Sequence, residues 1–345
     1  MKLCLNYKKI DEQTLKCRTC SHFCLIKDGR VGVCGVRQNL GGKLYLLVYG
    51  RAAAVNLDPI EKKPLFHFLP GSSAFSFGTL GCNFFCANCQ NHDIAQMSGL
   101  KGQVEKYHKI NWGNDFSPAE LVSRALASGC RSLAYTYNEP TIFLEYALDT
   151  MKLAKAKGLK NIWVSNGFMS EPALDAILPF LDGINIDIKS FSGEFYKSNC
   201  GAALEPVLKN CRRLVKAGVW LEITTLVMPT LADDEIMLKQ IAEFIKKDLG
   251  DFVPWHVSAF SAAISWKLKQ LPDTSPRAIE KAYAIGKQAG LKYVYAGNVW
   301  SSGREDTVCP NCGQLVIKRS GYEVASFDQA DRCKNCGEKI AGVFK

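Results

Sequence analysis
Apolar and polar positions along the middle of the chain follow two different periods. Short runs rich in branched and aromatic residues at Ser73–Leu80, Arg131–Tyr137, Asn161–Asn166, Gly183–Lys189, Trp220–Met228 and Val253–Phe260 predict strands, with a shorter last one at Lys292–Ala296. Between them the apolar positions recur at helical spacing. Ser117-Pro118-Ala119-Glu120 places Ser at the N-cap, Pro at the first helical position and Glu at the third, a capping box that opens a helix to Ala127. Leu204–Ala217 and Asp233–Lys247 predict two more helices, each ending near a glycine, Gly218 and Gly250. Strands alternating with helices imply a parallel βα architecture, and about six such units make a partial barrel rather than a closed eight-fold one. The expected divisions are 1–70, a cysteine-bearing segment closed by Pro70-Gly71; 71–300, the βα unit; and 301–345, a short tail with its own cysteines.

Composition narrows the class. A chain of 345 residues with 47% hydrophobic content can bury a large core. No run approaches the ~20 apolar residues of a membrane span, and Met1–Asn6 is too short and broken for a signal peptide, so the expectation is a soluble cytoplasmic protein. The fifteen cysteines fall into metal-type groups, with singles at Cys4, Cys130, Cys200 and Cys211; this fits a reducing compartment better than a disulfide scaffold. The net charge of +10 is spread without a run of five like charges. It reads as a solvated surface, with an acidic partner such as an electron donor or RNA as the functional rival; the lack of a concentrated basic or aromatic stretch counts against a nucleic-acid module.

The densest chemistry lies in Gly81-Cys-Asn-Phe-Phe-Cys-Ala-Asn-Cys-Gln-Asn91. Cys82, Cys86 and Cys89 stand at Cys-x3-Cys-x2-Cys spacing with no fourth cysteine near them in sequence. Iron–sulfur clusters are normally held by four Cys, so three thiolates on a four-iron cluster leave one iron for another ligand. In parallel βα architectures ligand groups gather at the carboxyl ends of strands. The polar motifs fall there: the cysteine loop after the first strand, Asn138-Glu139-Pro140 after the second, Ser165-Asn166-Gly167 at the third, Asp187-Ile188-Lys189 at the fourth, and His256 in the sixth. A zwitterionic ligand needs an acceptor for its ammonium and a donor for its carboxylate, which Glu139 and Lys189 supply.

The cysteine spacing resembles that of the radical SAM superfamily. With Pro59-Ile-Glu-Lys-Lys-Pro-Leu-Phe-His-Phe-Leu-Pro-Gly71, Cys17–Arg37 and Tyr135-Thr-Tyr-Asn-Glu-Pro140, the chain resembles over nearly its whole length the radical SAM component of the AmmeMemoRadiSam system, itself similar to pyruvate formate-lyase activating enzymes. The resemblance implies a partial (β/α)6 radical SAM barrel and a [4Fe–4S] cluster on Cys82, Cys86 and Cys89. It also implies S-adenosylmethionine on the open iron, cleaved to a 5′-deoxyadenosyl radical, with electrons from ferredoxin or flavodoxin. Memo-like or AMMECR-type proteins are the implied partners. By matching positions, Asn138-Glu139-Pro140 corresponds to the activating enzymes' Gly-Glu-Pro segment, with Glu139 accepting from the methionyl ammonium. Ser165 and Asn166 then lie near the ribose or a bound ion, Asp187 and Lys189 correspond to Asp-Leu-Lys with Lys189 at the carboxylate, and His256 lies near the ribose. The chain departs from the pattern at Asn88, where an aromatic usually helps seat the adenine, at Val164, where the activating enzymes carry the Asp of a cation site, and at Val257–Ile264.

Two further cysteine groups stand apart. Cys309-Pro-Asn-Cys312 and Cys333-Lys-Asn-Cys336, each followed by glycine, have zinc-ribbon spacing, with a rubredoxin-like iron site as the alternative. Cys17, Cys20, Cys24 and Cys34, interspersed with glycines, predict another metal site, read as zinc in preference to a second cluster, with His22 as an alternative ligand. The substrate stays open between a glycine in a partner polypeptide, as for an activase, and another molecule. A non-enzymatic iron–sulfur carrier or sensor would use the same cysteines without needing Glu139, Asn166 and Lys189.

Overall fold
The computed structural model describes residues 1–96, 110–299, 303–327 and 331–345, so the expected division at residue 301 lies outside the described residues. Its centre is an eight-stranded sheet. The strands are β1 (Ala54–Pro59), β2 (Ser73–Gly78), β3 (Ser132–Tyr135), β4 (Lys160–Ser165), β5 (Gly183–Asp187), β6 (Trp220–Val227), β7 (Trp255–Ala259) and β8 (Val294–Gly297), and their spatial order is the chain order. Strands β2 to β8 pair in parallel, while β1 closes one edge antiparallel to β2 with Ala54 opposite Gly78 and Pro59 opposite Ser73. That pairing crosses the expected division at residue 70 and joins residues 54–59 to the core. Strands β3, β4 and β5 are almost wholly buried, as expected where helices cover a parallel sheet.

The covering helices are α1 (Pro118–Ala127), α2 (Leu144–Ala156), α3 (Glu171–Ile177), α4 (Glu205–Lys216), α5 (Glu235–Phe244) and α6 (Pro276–Gln288). Their starts follow local chemistry. Ser117, Ser170, Asp234 and Ser275 each accept a first-turn backbone N–H, and Pro118, Pro172 and Pro276 occupy the early positions where a missing N–H costs nothing. Helix α5 runs into a wider turn, Ile245–Leu249, before Gly250, so the predicted Asp233–Lys247 element is continuous but changes winding near its end.

Residues before β1 form two small three-stranded antiparallel sheets, Tyr7–Lys9 with Thr14–Cys17 and Leu25–Lys27, and Lys2–Leu3 with Arg37–Leu40 and Lys43–Leu46. A buried bidentate pair anchors them to the core: Arg37 donates to both Glu145 oxygens at 3.1 and 2.6 Å and to the Ile142 carbonyl at 2.9 Å.

The tail forms β9 (Thr307–Val308), β10 (Leu315–Ser320) and β11 (Glu323–Phe327), a three-stranded antiparallel sheet. It is fastened to the segment between β1 and β2 by Arg319, which donates to the Phe66 carbonyl at 2.7 Å, and by the Val343 N–H on the His67 carbonyl at 2.8 Å. His67 completes this junction, its Nδ1 2.6 Å from the Ala341 carbonyl and its Nε2 2.5 Å from the Tyr295 hydroxyl. Donating at Nδ1 and accepting at Nε2 requires the neutral ring. Burial pushes its pKa down to about 4, against the opposing pull of Glu222. A histidine depressed on folding contributes stability above its unfolded value that is lost as pH falls toward the folded one, because the unfolded chain takes the proton first. His67 is therefore expected to remove about 2 kcal/mol of stability between pH 7.5 and pH 5. Denaturant melts should show a shallower pH slope in His67→Asn, which retains a donor for Ala341; equal slopes would remove His67 as the cause.

Candidate functional site
The three-cysteine loop leaves the carboxyl end of β2 through two close approaches that admit only glycine. A Cβ on Gly78 would lie 2.4 Å from the Thr136 carbonyl oxygen, and one on Gly81, at φ +90°, would lie 2.5 Å from the Cys34 carbonyl oxygen. Within the loop the Cys89 N–H donates to the Cys86 carbonyl at 3.0 Å and the Phe84 N–H to Cys82 Sγ at 3.4 Å. Burial, then the Glu139 charge, pushes the Cys82 thiol up, and Cys86 and Cys89 are pushed up as well. A cation taken by these sulfurs must therefore displace protons.

The strand-end residues converge on this loop. Asn138 donates to the Gly81 carbonyl at 2.7 Å and to the Thr79 hydroxyl at 3.1 Å, so it holds the loop's entry. Glu139, 1% exposed, accepts from the Thr141 N–H at 3.0 Å, from the Ser165 hydroxyl at 2.9 Å and from the Asn166 N–H at 2.7 Å. Burial raises its pKa despite these donors. Asn166 then reaches Asn83 in the loop, Nδ2 to Oδ1 at 2.7 Å. Glu139, Ser165, Asn166 and Asn83 thus form one chain of hydrogen bonds ending beside Cys82.

Lys189 approaches from the other side. Its Nζ is 2.9 Å from Asp187 Oδ2 and its N–H donates to the Tyr196 hydroxyl at 3.2 Å. Burial works to lower its pKa, but the Asp187 carboxylate beside it leads the opposing influences and keeps the ammonium charged. Two buried polar atoms bordering this region have no hydrogen-bond partner, Asn83 Nδ2 in the loop and Thr224 Oγ1 beside Asp187 in the sheet register. Three thiols, an ammonium, a carboxylate and two unsatisfied polar groups suit a sulfur-rich metal group with a zwitterion beside it.

Three contacts around the loop were hidden from sequence reasoning. Cys200 reads as a single cysteine in the sequence, but the turn Tyr196–Cys200, ended by Gly201 at φ +67°, brings its buried thiol to the neighbourhood of Cys86, and the two thiols act on one another's protonation. The same turn accepts the Phe85 N–H at the Cys200 carbonyl, 2.9 Å, and Asn199 donates to Asn88 at 2.9 Å, which occupies the position where an aromatic was missing. The segment after β7 braces the loop as well, with the Trp266 N–H on the Cys89 carbonyl at 3.1 Å and the Lys267 N–H on that of Ala87 at 2.8 Å. No motif marks these residues.

His256 belongs elsewhere. Its Nε2 is 2.7 Å from Glu222 Oε2 and its ring lies against Tyr295 and Phe66; these partners link it to the tail junction and not to Glu139, Ser165 or Asn166. Glu222 also accepts the Phe66 and His67 N–H groups at 3.0 and 2.8 Å and the Trp220 indole at 2.9 Å. Burial would raise its pKa, but the hydrogen bond with His256 holds it below the usual range. A carboxylate inside the apolar run Trp220–Val227 was the available signal for this network.

The other cysteine groups separate by geometry. The sulfurs of Cys309, Cys312, Cys333 and Cys336 all lie within 4.8 Å of one another, with Cys309–Cys336 and Cys312–Cys333 both at 3.6 Å. Each knuckle repeats one backbone pattern, Gly313 N–H to the Cys309 carbonyl at 3.0 Å and Gly337 N–H to that of Cys333 at 2.9 Å. This group could hold one metal ion. Cys17, Cys20, Cys24 and Cys34 line a separate cavity with Thr19, Gly32, Val33, Arg37 and Ile142. His22 turns to the three-cysteine loop, its Nε2 2.7 Å from the Asn83 carbonyl oxygen.

Known proteins resemble this chain in sequence and in fold. The family profile described as the Radical SAM superfamily matches residues 77–242. An uncharacterized protein of Methanocaldococcus jannaschii is 39% identical over 343 residues, 99% of both chains. Pyruvate formate-lyase 1-activating enzyme of Escherichia coli is 21% identical over 233 residues, 62% of this chain and 89% of that enzyme. Among solved structures, a radical SAM methyltransferase from Sphaerobacter thermophilus superposes with a TM-score of 0.50 at 14% identity, over 72% of this chain and 71% of that one, a likeness of fold. The chain carries a domain of the radical SAM superfamily, with homology to the pyruvate formate-lyase activating enzymes.

Proposed function
We propose that the chain cleaves S-adenosylmethionine reductively at a [4Fe–4S] cluster held by Cys82, Cys86 and Cys89, and that the resulting radical abstracts hydrogen from a substrate. The observation that carries this reading is the hydrogen-bond chain from Glu139 through Ser165 and Asn166 to Asn83, which ties two strand ends to the cysteine loop. When bound, the cluster supplies the electron and the open iron; the residues described here bind, orient and exclude water. Glu139 is buried and ready to accept an ammonium alongside the donors it already has. Lys189 offers its ammonium to a carboxylate that would compete with Asp187. We read the open sheet as the partial barrel expected of the family, and the tail group as a zinc ribbon whose metal folds a segment with little core of its own.

The activating-enzyme homology supports a glycine of a partner polypeptide as one substrate class, and the motif at 59–71 adds Memo-like or AMMECR-type partners by resemblance. Electrons would come from a ferredoxin or flavodoxin. No disulfide joins the cysteines of the described residues, which supports a reducing, cytoplasmic setting, and no helix among the described residues is long and apolar enough to cross a membrane.

The test is anaerobic. The reconstituted, reduced protein should give an EPR spectrum that changes on adding S-adenosylmethionine, together with 5′-deoxyadenosine; a four-iron signal indifferent to it, with no deoxyadenosine, would favour an electron carrier or sensor. Lys189→Met should weaken S-adenosylmethionine binding by about 10- to 100-fold, as expected for one charge-assisted hydrogen bond, with iron content unchanged. Unchanged affinity in a calorimetric titration would remove Lys189 from the site.

A further inference from the structure
Residues 1–45 carry nine Lys and Arg against three Asp and Glu, a surplus of six in a chain whose net charge is +10. The sheet of Tyr7–Lys9, Thr14–Cys17 and Leu25–Lys27 gathers part of that surplus on one side. Its register sets Lys8 opposite Lys16, Lys16 opposite Leu25 and Thr14 opposite Lys27. Opposite residues share a face of a sheet, as do residues two apart on one strand. The inner face holds Leu15, Cys17 and Ile26, all buried. Lys8, Lys16, Leu25 and Lys27 therefore look outward, and Leu25 is 66% exposed.

This arrangement costs the sheet stability. Like charges directly opposite one another are destabilising, and Lys8 and Lys16 are such a pair. Exposed lysines on the helices are balanced, Lys239 by Glu235 at 2.6 Å and Lys247 by Glu243 at 2.9 Å. Among the described residues Lys8, Lys16 and Lys27 make no ion pair. The Lys27 charge acts on Asp11, but that carboxylate accepts the Gln13 and Thr14 N–H groups at 2.9 and 2.7 Å.

Phe23 sets a second apolar group, 40% exposed, beside these lysines, with Lys16 Nζ 5.4 Å from its ring centre. Its backbone is at φ +48°, a conformation unfavourable for a bulky residue. That turn sends neighbouring rings opposite ways. Phe23 faces Lys16, while His22 faces inward with Nε2 2.7 Å from the carbonyl oxygen of Asn83, next in the chain to Cys82. A basic face with an apolar centre thus stands one residue from a side chain that touches the three-cysteine loop.

We propose that Lys8, Lys16, Phe23, Leu25 and Lys27 form the docking face for an acidic flavoprotein, of the flavodoxin type, that reduces the cluster on Cys82, Cys86 and Cys89. This rests on the function proposed above, which needs a one-electron donor. Lysines without internal partners steer and hold a negatively charged surface. Phe23 and Leu25 fit the apolar dimethylbenzene edge of a flavin, an edge that no iron–sulfur cluster has. A nucleic acid is the poorer fit, because its affinity comes from many phosphate contacts along a strand, and here the lysines surround an apolar centre. In the step itself the fully reduced flavin loses one electron and the cluster gains it; no atom is transferred.

The experiment uses the full chain, reconstituted anaerobically, with a purified flavodoxin as the probe. Calorimetry with oxidised flavodoxin reads docking without electron transfer. Lys8→Glu/Lys16→Glu/Lys27→Glu should raise the Kd at least about 10-fold, and salt should weaken the wild-type complex far more than what remains in the variant. Lys152→Glu/Lys157→Glu/Lys216→Glu makes the same change in net charge on and beside α2 and α4, and should bind as wild type does. Stopped-flow reduction by fully reduced flavodoxin should slow about 10- to 100-fold in the first variant alone. Dithionite-driven 5′-deoxyadenosine formation should stay within about twofold of wild type in both, which reports an intact fold. Equal affinities in all three proteins, or an equal loss in the two variants, would overturn the docking face. So would binding of a single-stranded oligouridylate in place of flavodoxin. Absence of dithionite-driven deoxyadenosine in wild type would instead sink the function proposed above, so the two readings fail separately.

Discussion

Cys86→Ala should bring 5′-deoxyadenosine formation to background while the zinc proposed for the tail cysteines is retained. The loss is expected to be total, because with two protein thiolates left the catalytic cluster has no complete protein ligand set. Cys86 is the most buried of the three and interacts electrostatically with Lys189, so its removal also disturbs the surroundings of the ammonium. Cys200→Ala is the control, since Cys200 lies outside the Cys-x3-Cys-x2-Cys loop. It should keep the iron of the loop and its response to S-adenosylmethionine. Retained cleavage in Cys86→Ala would end the assignment of the loop, and loss of iron in Cys200→Ala would make Cys200 a ligand.

Arg37→Met should destabilise the protein by about 3–5 kcal/mol, the cost of leaving a buried carboxylate without its partner. Both side chains of the pair are 2% exposed, and Glu145 keeps only the Leu5 N–H, at 2.9 Å, once the guanidinium is gone. Arg37→Met/Glu145→Leu should recover most of the loss, because removing both charges leaves no uncompensated one in the core. Urea denaturation checks both variants. A single variant within about 1 kcal/mol of wild type would show that the N-terminal sheets are held to α2 by packing instead.

Much of the fold was legible because its signals are local. The period of apolar residues placed β2 to β8 within a few positions, and Ser117-Pro118-Ala119-Glu120 marked the start of α1, where Ser117 Oγ accepts the Glu120 N–H at 3.1 Å. Less visible was β1. Ala54–Pro59 has polar and exposed positions at its centre, as an edge strand should, and so lacks the apolar run by which the inner strands were found. The candidate site was partly legible: Glu139, Ser165 and Asn166, singled out at strand ends, are hydrogen-bonded to one another, while no motif marked Asn83, which Asn166 reaches, and His256, expected near the ribose by resemblance, is bonded to Glu222.

The sequence by itself determined the order of strands and helices, the three cysteine groups and the loop that carries the densest chemistry. Each of these depends on spacing along the backbone, whose geometry over a few residues is nearly constant. Only the tertiary structure decided that Cys200 comes to the neighbourhood of Cys86 and that Arg37 meets Glu145. It also decided that residues 265–267 brace the cysteine loop, and that the N-terminal segment lies against Gly81 and Asn83. Those pairings join residues tens to hundreds of positions apart, and nothing in local spacing specifies them. They follow from the register in which parallel strands stack, which sets the strand ends and loops that share one face of the sheet.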